Sequence, residues 1–258
     1  MNNLLDSKFW DNISRRTSVH YRNKYVADYH KYENEELFNE WCSQVRHKRI
    51  LITDVFNEAF DREELSGIFR APDADIIGMD ISSFIVNKFH TAYPLKKKLV
   101  CDIRSLPFKD DKFDIIISPS TLDHFPQSDL EMSLGEIRRV LKKEGILILS
   151  VHNKFNVFLH FYIIKMTQKY PFPMTVYSKN QLIKILNKNK FHISECTATM
   201  HILFPALFPF ILFYIDKFGT HKFRNLLFKK IFNYFTKLRR KRTKYLTGKF
   251  ITVKAMKI

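Results

Sequence analysis

The sequence predicts an α/β fold, a doubly wound parallel sheet with helices on both faces, and three observations carry that prediction. Short apolar runs recur from residue 48 onward, helical stretches separate them, and three of the runs end in an aspartate. Strands that are apolar throughout must be covered on both faces, and strand–helix alternation supplies that cover.

In chain order, residues 1–45 are polar and aromatic, with Tyr21, Tyr25, Tyr29, Tyr32, Glu35 and Glu36, and read as an N-terminal segment of one or two helices. Arg49–Thr53 is the first apolar run; it closes at Asp54, and a helical stretch follows to about Arg70. Asp75–Asp80 is the second run, followed by a helix through Val86, and Lys98–Asp102 is the third. Phe113–Ser118 is the fourth, and the next helix carries Leu130, Leu134, Ile137, Val140 and Leu141 on one face. Gly145–Val151 is the fifth run. Lys154–Met166 reads as an apolar helix and Tyr170–Pro173 as a loop. Ser178 caps a helix bearing Leu182, Ile185 and Leu186, and residues 191–199 read as a strand. Thr247–Lys257 alternates apolar and polar residues and reads as the last strand. The expected organisation is therefore an N-terminal helical segment (1–45), a core (46–200), a helical insertion (201–245) and a final core strand (246–258).

Composition narrows the chemistry. Of 258 residues only 6 are glycine and 25 are phenylalanine, so few backbone positions are built for close ligand approach. Cys42, Cys101 and Cys196 are odd in number and widely spaced, which predicts neither a disulfide framework nor a metal site and favours a reducing cytosol. Met1–Trp10 has no apolar run behind a basic start, so no secretory signal is expected. The net charge of +17 is uneven: residues 1–200 hold 29 Lys/Arg against 25 Asp/Glu, whereas residues 201–258 hold 14 against one, Asp216.

Ligands of an open parallel sheet sit beyond the carboxyl ends of its strands. Asp80, ending the second run, is placed to accept two hydrogen bonds from a ribose diol. Asp102, ending the third, is placed to reach an adenine amino group. Asp114 and Phe56 read as structural. His124, just past the fourth run, is a candidate base for removing a substrate proton, with Asp123 to orient it.

Residues 49–153 resemble class I S-adenosylmethionine-dependent methyltransferases of the small-molecule, type 11-like kind. The resemblance rests on Cys101-Asp-Ile-Arg-Ser-Leu-Pro-Phe108, Asp111-Lys-Phe-Asp-Ile-Ile-Ile-Ser118, Leu122-Asp-His124 and Leu134-Gly-Glu-Ile-Arg-Arg-Val-Leu-Lys-Lys-Glu-Gly145, in that order. It implies a Rossmann-like, seven-stranded sheet whose last strand, Thr247–Lys257, runs antiparallel. It also implies S-adenosyl-L-methionine as the cofactor, held by Asp54, Glu58, Asp80, Ile81, Asp102, Ile103 and Ser118. The family's Gly-x-Gly-x-Gly turn is absent: Asp54, Phe56 and Glu58 fill the three glycine positions. Thr53–Ala59 is similar instead to a Thr-Asp-x-Phe-x-Glu-Ala signature of one subgroup, which implies that Asp54 or Glu58 binds the ammonium of the methionine moiety. Ser118-Pro-Ser-Thr121 half resembles the motif of nucleobase amino-methyltransferases but lacks the aromatic that would stack on a base.

The insertion has its own pattern. His201–Ile215 is apolar after its first residue, too short to span a bilayer, and interrupted by Pro205 and Pro209. Residues 217–244 contain eleven Lys/Arg and no acid, and end in Arg239-Arg-Lys-Arg242. On a helical wheel Phe223, Leu227, Ile231, Tyr234, Phe235 and Leu238 share one side, while Lys222, Lys229, Lys230, Lys237 and Arg240 share the other. Such a segment suits an anionic membrane surface, with a cap helix over the core and an RNA contact as the other readings. The expected function is methyl transfer to a small apolar or amphiphilic acceptor, such as a lipid-linked one, by a cytoplasmic protein, peripheral at the inner face of the membrane. Two other classes stay open: a non-catalytic methyltransferase-like binding protein, because the glycines are missing, and an RNA methyltransferase, because the tail is basic. The near-neutral first 200 residues oppose a nucleic-acid partner.

Overall fold

The computed structural model describes residues 6–17, 24–42, 45–60, 65–69, 73–157, 174–201 and 208–258. Seven strands form one sheet: β1 (Arg49–Ile52), β2 (Asp75–Asp80), β3 (Lys97–Val100), β4 (Phe113–Pro119), β5 (Leu141–His152), β6 (Phe191–His201) and β7 (Gly248–Lys257). Their order is β3-β2-β1-β4-β5-β7-β6, with β1 to β5 paired in parallel and β7 antiparallel to both β5 and β6. This is the doubly wound sheet with an antiparallel last strand that the sequence implied.

The apolar runs are buried on both faces. Leu51, Ile116 and Leu147 turn to one side and pack with Leu134 and Ile137 of α6 (Gln127–Val140) and Leu182 of α7 (Lys179–Lys188). Ile50, Ile52, Ile76 and Ile115 turn to the other side and meet Phe89 of α5 (Ser83–Ala92). Each such side chain contributes about 1.5–3 kcal/mol on burial, which is why runs of four or five suffice as strands. Gly78 of β2 lets this second layer close: a Cβ there would lie 2.8 Å from Val55 and 2.9 Å from Phe89.

Two boundaries differ from the sequence reading. Leu141 is not on the helix face; α6 stops at Val140 and Leu141 pairs with Phe113 across the sheet. The amides of Asp111 and Lys112 donate to the carbonyls of Arg139 and Val140, satisfying the helix end at that point. The single helix expected after β1 is, among the described residues, two one-turn helices, α3 (Phe56–Ala59) and α4 (Ser66–Phe69). Of the helix expected over Lys154–Met166, residues 154–157 form turns instead, the Lys154 amide donating to the Tyr177 carbonyl and the Val157 amide to the Leu246 carbonyl; residues 158–166, the Tyr170–Pro173 loop and Pro205 of the apolar run lie outside the described residues.

The N-terminal segment supplies α1 (Ser7–Thr17) and α2 (Lys24–Trp41), and the insertion supplies α8 (Phe208–Phe218), α9 (His221–Lys237) and α10 (Lys244–Thr247). Tyr25 and Tyr29 of α2 form a third apolar cluster with Leu212, Phe232, Phe250 and Met200, flanked by Phe228, Ile231 and Phe235. Tyr25 Oη donates to Asp216 at 2.8 Å. The inner face of α9 is therefore Phe228, Ile231, Phe232 and Phe235, and the helical-wheel assignment needs correction: Phe223 and Tyr234 are exposed. Arg239 is also buried, paired with Glu40 of α2 at 2.5 Å, and is not one of the free cations. The insertion leaves and rejoins the sheet at one rung, where His201 pairs with Gly248. Among the described residues no helix is long and apolar enough to cross a membrane.

Candidate functional site

A cavity of about 220 Å³ opens at the carboxyl ends of β1, β2, β4 and β5, just past the end of β3. It is roofed by α1 and α2 and walled at its far end by β6 and β7. Of the residues singled out from sequence, Asp54, Asp80, Ile81, Asp102, Ile103, Ser118 and His124 line it. Glu58 does not: it is buried behind the loop, where its Oε1 accepts the Leu65 amide at 2.9 Å.

The glycine-free turn has a local explanation. Asp54 Oδ1 accepts the Phe56 amide at 2.9 Å, a side-chain turn that reverses the chain without a positive φ. A carboxylate of the protein's own thus sits at the start of α3, where a glycine turn leaves amides open. Burial pushes the Asp54 carboxyl up to about 6; the Phe56 amide and His124 oppose the shift and Asp123 adds to it. Asp80 is raised well above the usual carboxylate range, first by burial and then by the negative charge of Asp54, against the Ser82 amide that its Oδ1 accepts at 2.9 Å. Two acids crowd one end of the cavity, and a cation placed there would relieve both.

At the β3 end, Asp102 is held in a fork by Arg104, whose Nη2 lies 2.6 Å from Oδ2 and whose Nε is 3.0 Å from both oxygens. Arg104 Nη1 reaches Asp129 at 2.6 Å, so the carboxylate is fixed at the cavity edge by α6. Ser118 Oγ, at the end of β4, is buried with no hydrogen-bond partner among the described residues.

The roof escaped sequence reasoning. Trp10, Ile13 and Ser14 of α1 line the cavity. Asp11 of the same helix accepts from Ser82 Oγ at 2.5 Å, Ser83 Oγ at 3.1 Å and the Phe84 amide at 3.2 Å, docking α1 on the start of α5 beside Asp80. His124 stacks edge-on against Trp10, ring centroids 5.2 Å apart.

Asp123 was expected to orient His124. Its carboxylate turns instead to His152, the last residue of β5, accepting from the His152 amide at 3.1 Å and pairing with the ring Nδ1. Asp123 is fully buried, whereas His152 lines the cavity. His152 was legible only as one residue past the fifth apolar run. Met200, at φ 60°, and Phe250 close the far wall, and buried Glu33 of α2 accepts the Met200 amide at 2.7 Å.

The family described as a methyltransferase domain matches residues 62–149. An uncharacterised protein of Methanocaldococcus jannaschii is 39% identical over 83 residues, 32% of this chain and 34% of that protein; the match spans about a third of the relative's length. Among solved structures, a chain in the complex between the Haloferax volcanii Trm112 methyltransferase activator and a methyltransferase superposes with a TM-score of 0.64 at 18% identity, covering 97% of this chain and 96% of that one. A SAM-dependent methyltransferase of Methanosarcina mazei superposes with a TM-score of 0.56 at 15% identity, covering 86% and 97%.

Proposed function

We propose that the chain is a class I S-adenosylmethionine-dependent methyltransferase that transfers a methyl group from S-adenosylmethionine to a small acceptor enclosed between α1, α2 and the ends of β5, β6 and β7; the match of residues 62–149 to a methyltransferase domain and the shared fold support that reading. The observation that carries this reading is the convergence of Asp54, Asp80 and Asp102, at the ends of three adjacent strands, on one cavity. The residues suit the cofactor's chemistry: Asp80 would hold the ribose, Asp102 the adenine amino group, Ile81 and Ile103 would offer apolar surface to the adenine, and Asp54, with its crowded negative charge, would meet the ammonium. Ser118 Oγ, buried without a partner, offers a further polar contact. The bound cofactor supplies an electrophilic methyl group on a sulfonium. The protein's task is to align the acceptor with it and exclude water. Isothermal titration with S-adenosylmethionine tests this directly. Hydrogen bonds to a charged group are worth about 1.5–3 kcal/mol each, so Asp80→Ala should lose at least about tenfold in affinity. Wild-type protein that fails to bind would favour a non-catalytic role.

We propose further that the outer face of the insertion rests on an anionic membrane. Phe210, Ile211, Phe213, Tyr214 and Phe218 of α8 are all about half exposed or more, and continue into Phe223 and Leu226 of α9. Lys217 lies over the Phe213 and Phe218 rings, and Lys229, Lys230, Arg240, Lys241 and Arg242 are exposed further along the insertion. Exposed aromatic side chains together with exposed cations suit a headgroup boundary, each cation near the surface adding about 1 kcal/mol. Co-sedimentation with phosphatidylserine-containing vesicles should exceed that with phosphatidylcholine alone and fall with salt. Indifference to anionic vesicles at low salt would reduce the insertion to a cap over the core.

A further inference from the structure

We propose that His152 and Asp123 form a buried base dyad that takes the proton of a weakly acidic O–H acceptor, of the phenol class, during methyl transfer. The proposal rests on the methyl-transfer reading above and goes beyond it by naming the base and the acceptor's chemistry.

Three features of the geometry carry it. First, Asp123 is fully buried and its carboxylate Oδ2 takes both the amide and the ring Nδ1 of His152, while its Oδ1 has no hydrogen-bond partner among the described residues. A carboxylate on Nδ1 fixes that nitrogen as the protonated one and leaves the lone pair on Nε2. Second, His152 lines the cavity, and no hydrogen bond occupies its Nε2 among the described residues. Third, aromatic rings flank the base: the Phe250 ring packs 4.8 Å from the imidazole, and Phe125, Trp10 and Phe38 share the cavity wall. The charge balance agrees. Burial lowers the His152 pKa below its ordinary value against the pull of Asp123, so the ring is neutral and receptive at pH 7. Burial raises Asp123, but the charge and hydrogen bonds of His152 outweigh it and keep the carboxylate ionised.

The acceptor class follows from what such a base is for. A carboxylic acid reaches the site already ionised and needs no base. A phenol-type O–H is neutral at pH 7, and its oxygen is a weak nucleophile until the proton leaves. The O–H proton passes to Nε2, an oxygen lone pair forms the new C–O bond, and the electron pair of the broken C–S bond stays on sulfur. The imidazolium then releases its proton to water when the products leave. The charged groups that bear on the imidazole are Asp123, which raises its pKa, and His124 and Lys249, which lower it; His30 of α2 packs on the Phe250 ring, 6.3 Å between centroids.

The test combines turnover with a measurement that needs none. Radiolabelled methyl transfer is assayed with phenol, catechol and 4-hydroxybenzoate as acceptors and benzoate as control. The proposal expects transfer to a phenolic oxygen and a loss of about 10²–10⁴-fold in kcat for His152→Gln, at unchanged cofactor affinity. It also expects loss of the acidic limb of the kcat–pH profile in that variant, a change that mere structural support would not produce. In parallel, ¹⁵N spectra of histidine-labelled wild type bound to S-adenosylhomocysteine should show an unprotonated Nε2 that shifts on adding catechol. Asp123→Asn should abolish that tautomer preference. An Nε2-protonated ring, a resonance indifferent to catechol, or methylation of benzoate with His152→Gln fully active overturns the dyad and leaves methyl transfer standing. Wild type that binds neither S-adenosylmethionine nor S-adenosylhomocysteine overturns the underlying reading instead.

Discussion

Consider Asp54→Asn in the cofactor-free protein. The Asp54 carboxyl is raised from its ordinary 3.8 to about 6, chiefly by burial. Between those values the folded state binds more protons than the unfolded chain. The contribution to stability is therefore fully present below pH 4 and is lost as pH rises through 6. At pH 7 the charged Asp54 costs up to about 3 kcal/mol, two pKa units at roughly 1.4 kcal/mol each. Asparagine removes that charge, keeps an oxygen for the Phe56 amide, and also relieves the repulsion that raises Asp80. The variant should be more stable at pH 7 by about 1–3 kcal/mol, with the melting temperature rising about 2–4 °C per kcal/mol. It should also bind S-adenosylmethionine at least about tenfold more weakly, because the ammonium loses a charged partner. Wild-type affinity should fall about tenfold between pH 7 and pH 5 as Asp54 is protonated, and the variant should lose that part of the dependence. Calorimetry and thermal melts over pH 5–7 read both effects, below the range near 7.7–8.0 where an α-amino group itself titrates. Asp54→Asn no more stable than wild type at pH 7, or as tight and as pH-dependent in binding, would refute the assignment of Asp54 as the cation's partner.

Three further outcomes are expected. Asp11→Ala should release α1 from Ser82, Ser83 and Phe84, seen as faster amide exchange in α1 and faster cofactor dissociation at little cost in global stability; unchanged dissociation would mean that α1 is no gate. Gly78→Ala should destabilise the fold by about 1–3 kcal/mol in denaturant titration through overpacking against Val55 and Phe89; a neutral result would mean that α5 can shift outward. Arg239→Gln should lower stability by about 1–3 kcal/mol, because a buried hydrogen-bonded charge is lost, whereas exposed Arg240→Gln should change it by less than about 0.5 kcal/mol; equal effects would contradict the Glu40 pairing.

The parts of this fold that the sequence makes legible are those fixed by local patterning. Ile50–Ile52 and Ile115–Ile117 are apolar at every position because both sheet faces are covered, and Asp80 and Asp102 stand out because each ends such a run. What stays hidden depends on long-range partners. Asp123 and His152 lie on different elements, and nothing near Leu122-Asp-His124 signals that the aspartate turns away from its own neighbour toward β5. The docking of α1 rests on a single aspartate, Asp11, meeting a serine cap, which leaves no periodic trace. On α9 the apolar residues outnumber those one face can hold, and only the tyrosines of α2 decide that Phe228 and Phe232 go inward while Phe223 and Tyr234 stay out.

The ladder rung between His201 and Gly248 makes everything between them, topologically, a single hairpin connection. The entropy of closing such a connection grows only logarithmically, so an eightfold longer turn costs about 2 kcal/mol more. Chain length and surface character can therefore drift there without disturbing the register of β6 on β7 or the strand ends that hold the acids. The coupling that limits this freedom is the seam with α2, where Tyr25 and Tyr29 must find new neighbours whenever the excursion changes. A chimera that grafts a different excursion between residues 201 and 248, together with its matching α2 surface, is thus the natural way to vary this part of the fold while leaving the sheet intact.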